Sequence, residues 1–90
     1  MNLYFRRHWQ KTRDDTYNHW GKSIWYFETT AKGDILRQME VYENGRILKY
    51  SQTKMEDKYG FLEKRPLDLP NFQSFQIKRI DFEKIWIRNK

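Results

Sequence analysis

Apolar and polar positions alternate with a period of two through three neighbouring runs, Ser23–Thr30, Ile35–Tyr42 and Arg46–Ser51. That period sends successive side chains to opposite faces of a pleated chain, so the runs predict three β-strands. Ala31-Lys32-Gly33-Asp34 and Asn44-Gly45 separate them. Asn-Gly is the strongest short hairpin signal, because both residues tolerate the positive φ of a type I′ turn. A two-residue turn there sets Tyr42 opposite Ile47, Val41 opposite Leu48, Glu40 opposite Lys49 and Met39 opposite Tyr50. Opposite charges meet and apolar meets apolar, as cross-strand pairing favours. A turn at Lys32-Gly33 sets Thr30 opposite Ile35, Glu28 opposite Arg37, Tyr26 opposite Met39 and Trp25 opposite Glu40. The expectation is a three-stranded antiparallel meander.

Alternation then sorts the faces. Ile24, Tyr26, Met39, Val41, Leu48 and Tyr50 form the expected core face. Trp25, Phe27, Leu36, Gln38, Glu40, Tyr42, Ile47 and Lys49 form the other, aromatic but studded with polar groups, and so either partly covered by a loop or offered to a partner. Leu3 to Trp9 predicts a further strand with Leu3, Phe5 and Trp9 on one side, and the turn-forming residues of Gln10 to Gly21 predict a loop. From Gln52 to Gln76 the chain reads as an irregular connection whose Phe61, Leu62, Leu67, Leu69, Phe72 and Phe75 pin it across the sheet.

Phe82, Ile85 and Trp86 recur at helical spacing and predict a helix over Arg79 to Arg88. Ile77 stands where a hydrophobic staple reaches Phe82 if Lys78 is the cap. Asp81 and Glu83 near its start, with Arg88 and Lys90 near its end, suit the helix dipole. The fold class is therefore α+β: an antiparallel sheet of about four strands, the N-terminal strand plus the meander, packed against a C-terminal helix in a single domain spanning 1–90.

The ordered pieces Tyr26-x-Glu28, Arg37-x-x-Glu40-Val41-Tyr42-x-x-Gly45, Gly60-Phe61-Leu62 and Ile77 followed by Asp81-Phe82-Glu83-x-Ile85-Trp86 span Ser23 to Trp86. In this succession the chain resembles a family of small bacterial proteins known only as a domain of unknown function. It departs from that pattern at Lys78, where the family tends to have Thr or Ser, and at Ile80, where an acid is common. The resemblance implies one domain of strands closed by a helix, and it carries no activity or catalytic residues.

Composition changes the picture in two ways. Four Trp, six Tyr and six Phe make 18% of the chain aromatic, enough to fill the core of a small domain. There is no cysteine, hence neither disulfide nor thiolate metal site, and no apolar run long enough for a membrane span or signal sequence, so the expected location is the cytoplasm, without membrane contact. Eighteen Lys and Arg against twelve Asp and Glu give a net charge of +6, spread along the chain and interleaved with acids as on an ordinary solvated surface.

Candidate chemistry is sparse. Glu28 and Arg37 face each other and read as a structural ion pair, whereas Glu40 with Lys49 reads as a surface cross-strand pair. His8 and His19, with Lys11, Lys22 or Lys49, could act as acid, base and charge stabiliser only if they converged, and no motif brings them together. No metal-ligand spacing, nucleophile elbow or phosphate loop is present, so neither metal nor cofactor is expected and the chain does not read as an enzyme.

Two binding readings follow. Trp25, Phe27, Gln38, Glu40, Tyr42 and Lys49 make a mixed sheet face suited to another protein, in a monomer or weak homodimer; by class analogy this is an immunity-type inhibitor of a bacterial toxin, whose surface should be acidic or neutral given the charge of this chain. Alternatively Arg6, Arg7 and Trp9 supply the cations and rings used on single-stranded nucleic acid.

Overall fold

The computed structural model describes residues 1–88. Strands β1 (Leu3–Trp9), β2 (Ser23–Thr29), β3 (Ile35–Tyr42) and β4 (Ile47–Ser51) are followed by a two-strand hairpin, β5 (Glu56–Asp57) and β6 (Gly60–Phe61). A short helix α1 (Leu69–Phe72), strand β7 (Gln76–Ile77) and helix α2 (Arg79–Trp86) complete the chain. The main sheet has five antiparallel strands in the order β4-β3-β2-β1-β7. The α+β architecture and meander are as expected. The N-terminal strand lies beside β2, and β7 supplies the fifth strand on its outer edge.

Both hairpins of the meander use three-residue loops. In the second, the Tyr42 N–H donates to Arg46 O at 2.9 Å and the Gly45 N–H donates to Tyr42 O at 2.9 Å. Gly45 sits at φ 91°, the left-handed residue that ends such a loop. The extra residue, Glu43, shifts the expected register by one: Val41 faces Ile47, Glu40 faces Leu48, Met39 faces Lys49 and Gln38 faces Tyr50. A one-residue slip turns every side chain of a strand to the other face. Leu48 and Tyr50 therefore join Gln38, Glu40 and Tyr42, while Ile47 and Lys49 join Met39 and Val41.

The first hairpin carries the same loop, with Gly33 at φ 95° and Thr30 bonded to Asp34. Here a bulge between Glu28 and Thr29 absorbs the extra residue, so Glu28 still faces Arg37 and Tyr26 still faces Met39, while Thr29 rather than Thr30 faces Ile35.

The two faces build two cores. On one, Tyr4, Tyr26, Met39 and Phe82 are buried beneath α2, with Ile24, Val41, Ile77, Ile85 and Trp86 packed around them. Ile77 and Phe82 make the staple expected at the start of α2. Lys78 has no acceptor to offer as a cap, so only the Asp81 carboxylate acts there, accepting from the Lys78 N–H at 3.3 Å. Lys90, expected to complement the far end of the dipole, lies outside the described residues.

On the opposite face Trp20, Phe27, Ile35, Tyr42, Leu48, Tyr50 and Leu62 form the second core. Trp20 comes from a 3-10 turn (Asn18–Trp20) within the segment expected to be loop, and Leu62 from the long connection, which Leu62, Leu67 and Phe72 pin across the sheet, whereas Phe61 is exposed.

Gly33 also anchors that connection, since the Leu67 N–H donates to Gly33 O at 2.9 Å. A Cβ at Gly33 would stand 2.7 Å from Leu67 O, whereas one at Gly45 would meet nothing within 4 Å. Both substitutions carry the left-handed strain of roughly 1 to 2 kcal/mol, but only Gly33→Ala adds a backbone clash. Urea unfolding should show about 3 kcal/mol lost for Gly33→Ala and about 1 for Gly45→Ala. Equal losses would mean that the connection does not rest on this turn.

Candidate functional site

The face carrying Trp25, Phe27, Gln38, Glu40 and Tyr42 is not open. Segment 10–21 and residues 59–72 close over it, which corrects the expectation of an exposed sheet face: Phe27, Gln38, Glu40 and Tyr42 are buried and Trp25 is half-buried. Polar groups make this closure. Gln38 Oε1 accepts from the Glu63 N–H at 2.9 Å and its Nε2 donates to Phe61 O at 3.2 Å. Tyr50 OH donates to Asp57 Oδ1 at 2.9 Å, which also accepts the Tyr59 and Gly60 N–H groups and so fixes the β5–β6 turn. Arg13 donates to Tyr59 O at 2.7 Å and to Tyr42 OH at 3.3 Å, with its guanidinium over the rings of Tyr17 and Trp20.

Lys49 and Glu40 do not pair. Lys49 faces α2, where its Nζ donates to Arg88 O and lies 5.8 Å from the Trp86 ring centre. Glu40 is instead the deepest acid on the closed face. Its Oε1 accepts from Tyr42 OH at 2.8 Å and its Oε2 from Gln38 Nε2 at 3.0 Å. Burial pushes its carboxyl above the ordinary range, against the pull of those two bonds.

Between the sheet and its covering segments two adjoining hollows remain, sharing Trp9, Trp25 and Glu63 as walls. The smaller, about 390 Å³, is an apolar recess including Phe27, Leu67 and Phe72 with Arg7 and Arg65 at its edge. The larger, about 940 Å³, reaches Glu40 and Tyr42 and is bordered by Tyr59 and Phe61. At this cleft Trp9 is 49% exposed and Phe61 57%. No family model, curated protein or solved structure matches the chain.

The trio expected for nucleic acid is split. Strand alternation puts Arg7 and Trp9 on the cleft side and Arg6 on the helix side. Arg7 is half-buried, its guanidinium 5.1 Å from the Phe72 ring centre and 5.0 Å from that of Phe75. The two histidines do not line one hollow either. His8 lines a hollow of about 230 Å³ with Lys22, and neither His19 nor Lys49 borders it.

Glu28 and Arg37 do pair, at 2.5 Å, and the structure extends the pair into a network. Arg37 forks onto Glu83 of α2 at 3.0 and 2.7 Å, and Tyr4 OH and Asn2 Nδ2 donate to Glu28 at 2.9 and 3.0 Å. The guanidinium lies over the rings of Phe82 and Trp86, at 4.7 and 4.9 Å. The Y-x-E, R-x-x-E-V and D-F-E-x-I-W pieces of the sequence thus meet in a lock that holds the helix to the sheet. Tyr59, Arg13, Asp14, Asp15 and Glu63 are cleft residues that sequence reasoning missed, and Phe61, expected to pin the connection across the sheet, is instead exposed at the cleft mouth. The one available signal was the i, i+2 row Gln38, Glu40, Tyr42, a polar stripe whose members can bond to one another along one strand face.

Proposed function

We propose that this chain is a non-catalytic protein-binding module that docks through the cleft, with Trp9, Trp25 and Phe61 as its apolar contacts. The observation that carries this reading is the pair of large, half-exposed aromatics, Trp9 and Phe61, at the mouth of a concave site. Aromatic side chains bordering a pocket dominate protein interfaces, because each removes a large apolar area from water at small cost in conformational entropy. Inhibition of a toxin would be one use of such a surface.

The acids lining the larger hollow, Asp14, Asp15, Glu40 and Glu63, repel phosphate, which favours a protein over nucleic acid. The test places the photo-crosslinker p-benzoylphenylalanine at position 9, and separately at position 87 beyond α2, where Ile87 is 74% exposed. Irradiation in cells of the source should join one protein to position 9 and leave position 87 unlinked. Equal labelling from both positions, or nucleic acid captured at position 9, would overturn the reading.

A further inference from the structure

The larger hollow reverses the charge of the chain. The protein carries +6 overall, yet the lining contributes Asp14, Asp15, Glu40 and Glu63 against only Lys11 and Arg13. Arg13 is already committed, 2.7 Å from Asp15, and it reaches Glu40 only through the Tyr42 hydroxyl. Glu63 faces Arg65 at 3.5 Å.

Glu40 has no ion-pair partner among the described residues. It is only 4% exposed, and both of its bonds come from neutral donors. A carboxylate so far from water is costly unless a cation joins it, and each of its oxygens keeps a lone pair beyond the bond it already accepts. Trp9, Trp25, Tyr59 and Phe61 are the aromatic residues among its walls, beside the polar Gln10, Thr12 and Ser23. Ring faces attract cations, as this protein shows where the Arg46 guanidinium lies 4.6 Å from the Trp20 ring centre.

We propose that the Glu40 end of the cleft recognises an organic cation, a guanidinium or ammonium group on an apolar stem, and that an Arg or Lys side chain of the docking partner supplies it. Only the source of the cation rests on the docking reading above. The cationic head meets the Glu40 carboxylate while its stem lies between the aromatic walls. The remaining partner surface is acidic or neutral, in keeping with the charge of this chain.

The probe is n-butylguanidinium, with n-pentanol as its neutral counterpart, titrated into the wild-type protein and followed by backbone amide NMR. The cation should bind saturably and move the signals of Trp9, Glu40 and Phe61, with n-pentanol weaker by about tenfold or more. Glu40→Gln should weaken the cation by about tenfold. Because Gln at this position sets an amide donor near Gln38, the comparison of the two probes on the wild-type protein stands as an independent arm. Equal binding of the two probes, or an unchanged affinity in Glu40→Gln, would overturn the site. If position 9 crosslinks a protein that n-butylguanidinium does not displace, the assigned source is wrong. If the cation binds and no protein crosslinks, the docking reading fails and the cation site stands.

Discussion

Phe82→Ala is expected to remove about 4 kcal/mol of stability, the largest single loss in this domain. Phe82 is fully buried and is the centre of the helix-side core. Its ring lies 5.5 Å from that of Tyr4, 6.0 Å from that of Trp86 and 6.5 Å from that of Tyr26, with the Arg37 guanidinium over it. Truncation loses the transfer free energy of the ring and leaves a space that strand residues, fixed by their ladders, close only in part. A domain of this length holds roughly 5 to 13 kcal/mol in total, so the variant should be near the edge of folding at 37 °C. Urea unfolding measures the loss, and Phe82→Leu should restore about half of it. A loss below about 1.5 kcal/mol would mean that α2 contributes little to holding this sheet face together.

Arg37→Ala is expected to cost about 3 kcal/mol at neutral pH, because it leaves the buried Glu28 without its cation and Glu83 with only the exposed Arg79, 3.5 Å away. Arg37→Lys should recover only part, since an ammonium cannot fork onto two carboxylates while stacking on Phe82 and Trp86. Acid distinguishes this cause from lost packing. Burial pushes the Glu28 carboxyl up, but the bonds from Arg37, Asn2 and Tyr4 outweigh it, and the Arg37 fork holds Glu83 low as well.

Carboxyls depressed in the folded state contribute stability that is complete above their unfolded value, near pH 4.3, and is lost as pH falls through the folded one. Without Arg37 only the neutral donors Asn2 and Tyr4 oppose the burial of Glu28, so protonation costs the variant less than it costs the wild type. The gap between wild type and Arg37→Ala should therefore narrow as pH falls from about 6 to about 3. A gap independent of pH would assign the effect to packing alone.

The parts of this fold legible in the sequence are those where one local rule decides. The Ile77 to Phe82 staple follows from helix spacing and is present; Glu28 opposite Arg37 and Tyr26 opposite Met39 are present too, although the two-residue turn that placed them is a three-residue loop whose offset the bulge at Glu28 and Thr29 cancels. The register of the second hairpin was not legible. Burial fixes strand parity only when one face is polar, and here both faces of β3 and β4 are covered. Glu40 opposite Lys49 then looked as satisfactory as Glu40 opposite Leu48, although only the latter agrees with a loop in which Gly45 is left-handed and Asn44 is not.

The cleft was half legible. Trp25, Gln38, Glu40 and Tyr42 were recognised as one face, yet nothing local to β2 or β3 announces that Trp20 and Leu62 fold back to cover it. Arg13, Phe61 and Tyr59 reach the site through such long-range closure, which no periodicity encodes.

The central claim is that the cleft face, and not the helix face, meets the partner. Titration calorimetry of the crosslinked partner against two double variants tests it directly. Trp9→Ala with Phe61→Ala removes the apolar contacts at the cleft mouth, and Ile80→Ala with Ile87→Ala removes the exposed apolar residues of and beside α2. The account predicts a loss of about 100-fold in affinity for the first pair and less than about twofold for the second. A full-strength complex with the cleft pair, or an equal loss from the helix pair, would contradict it.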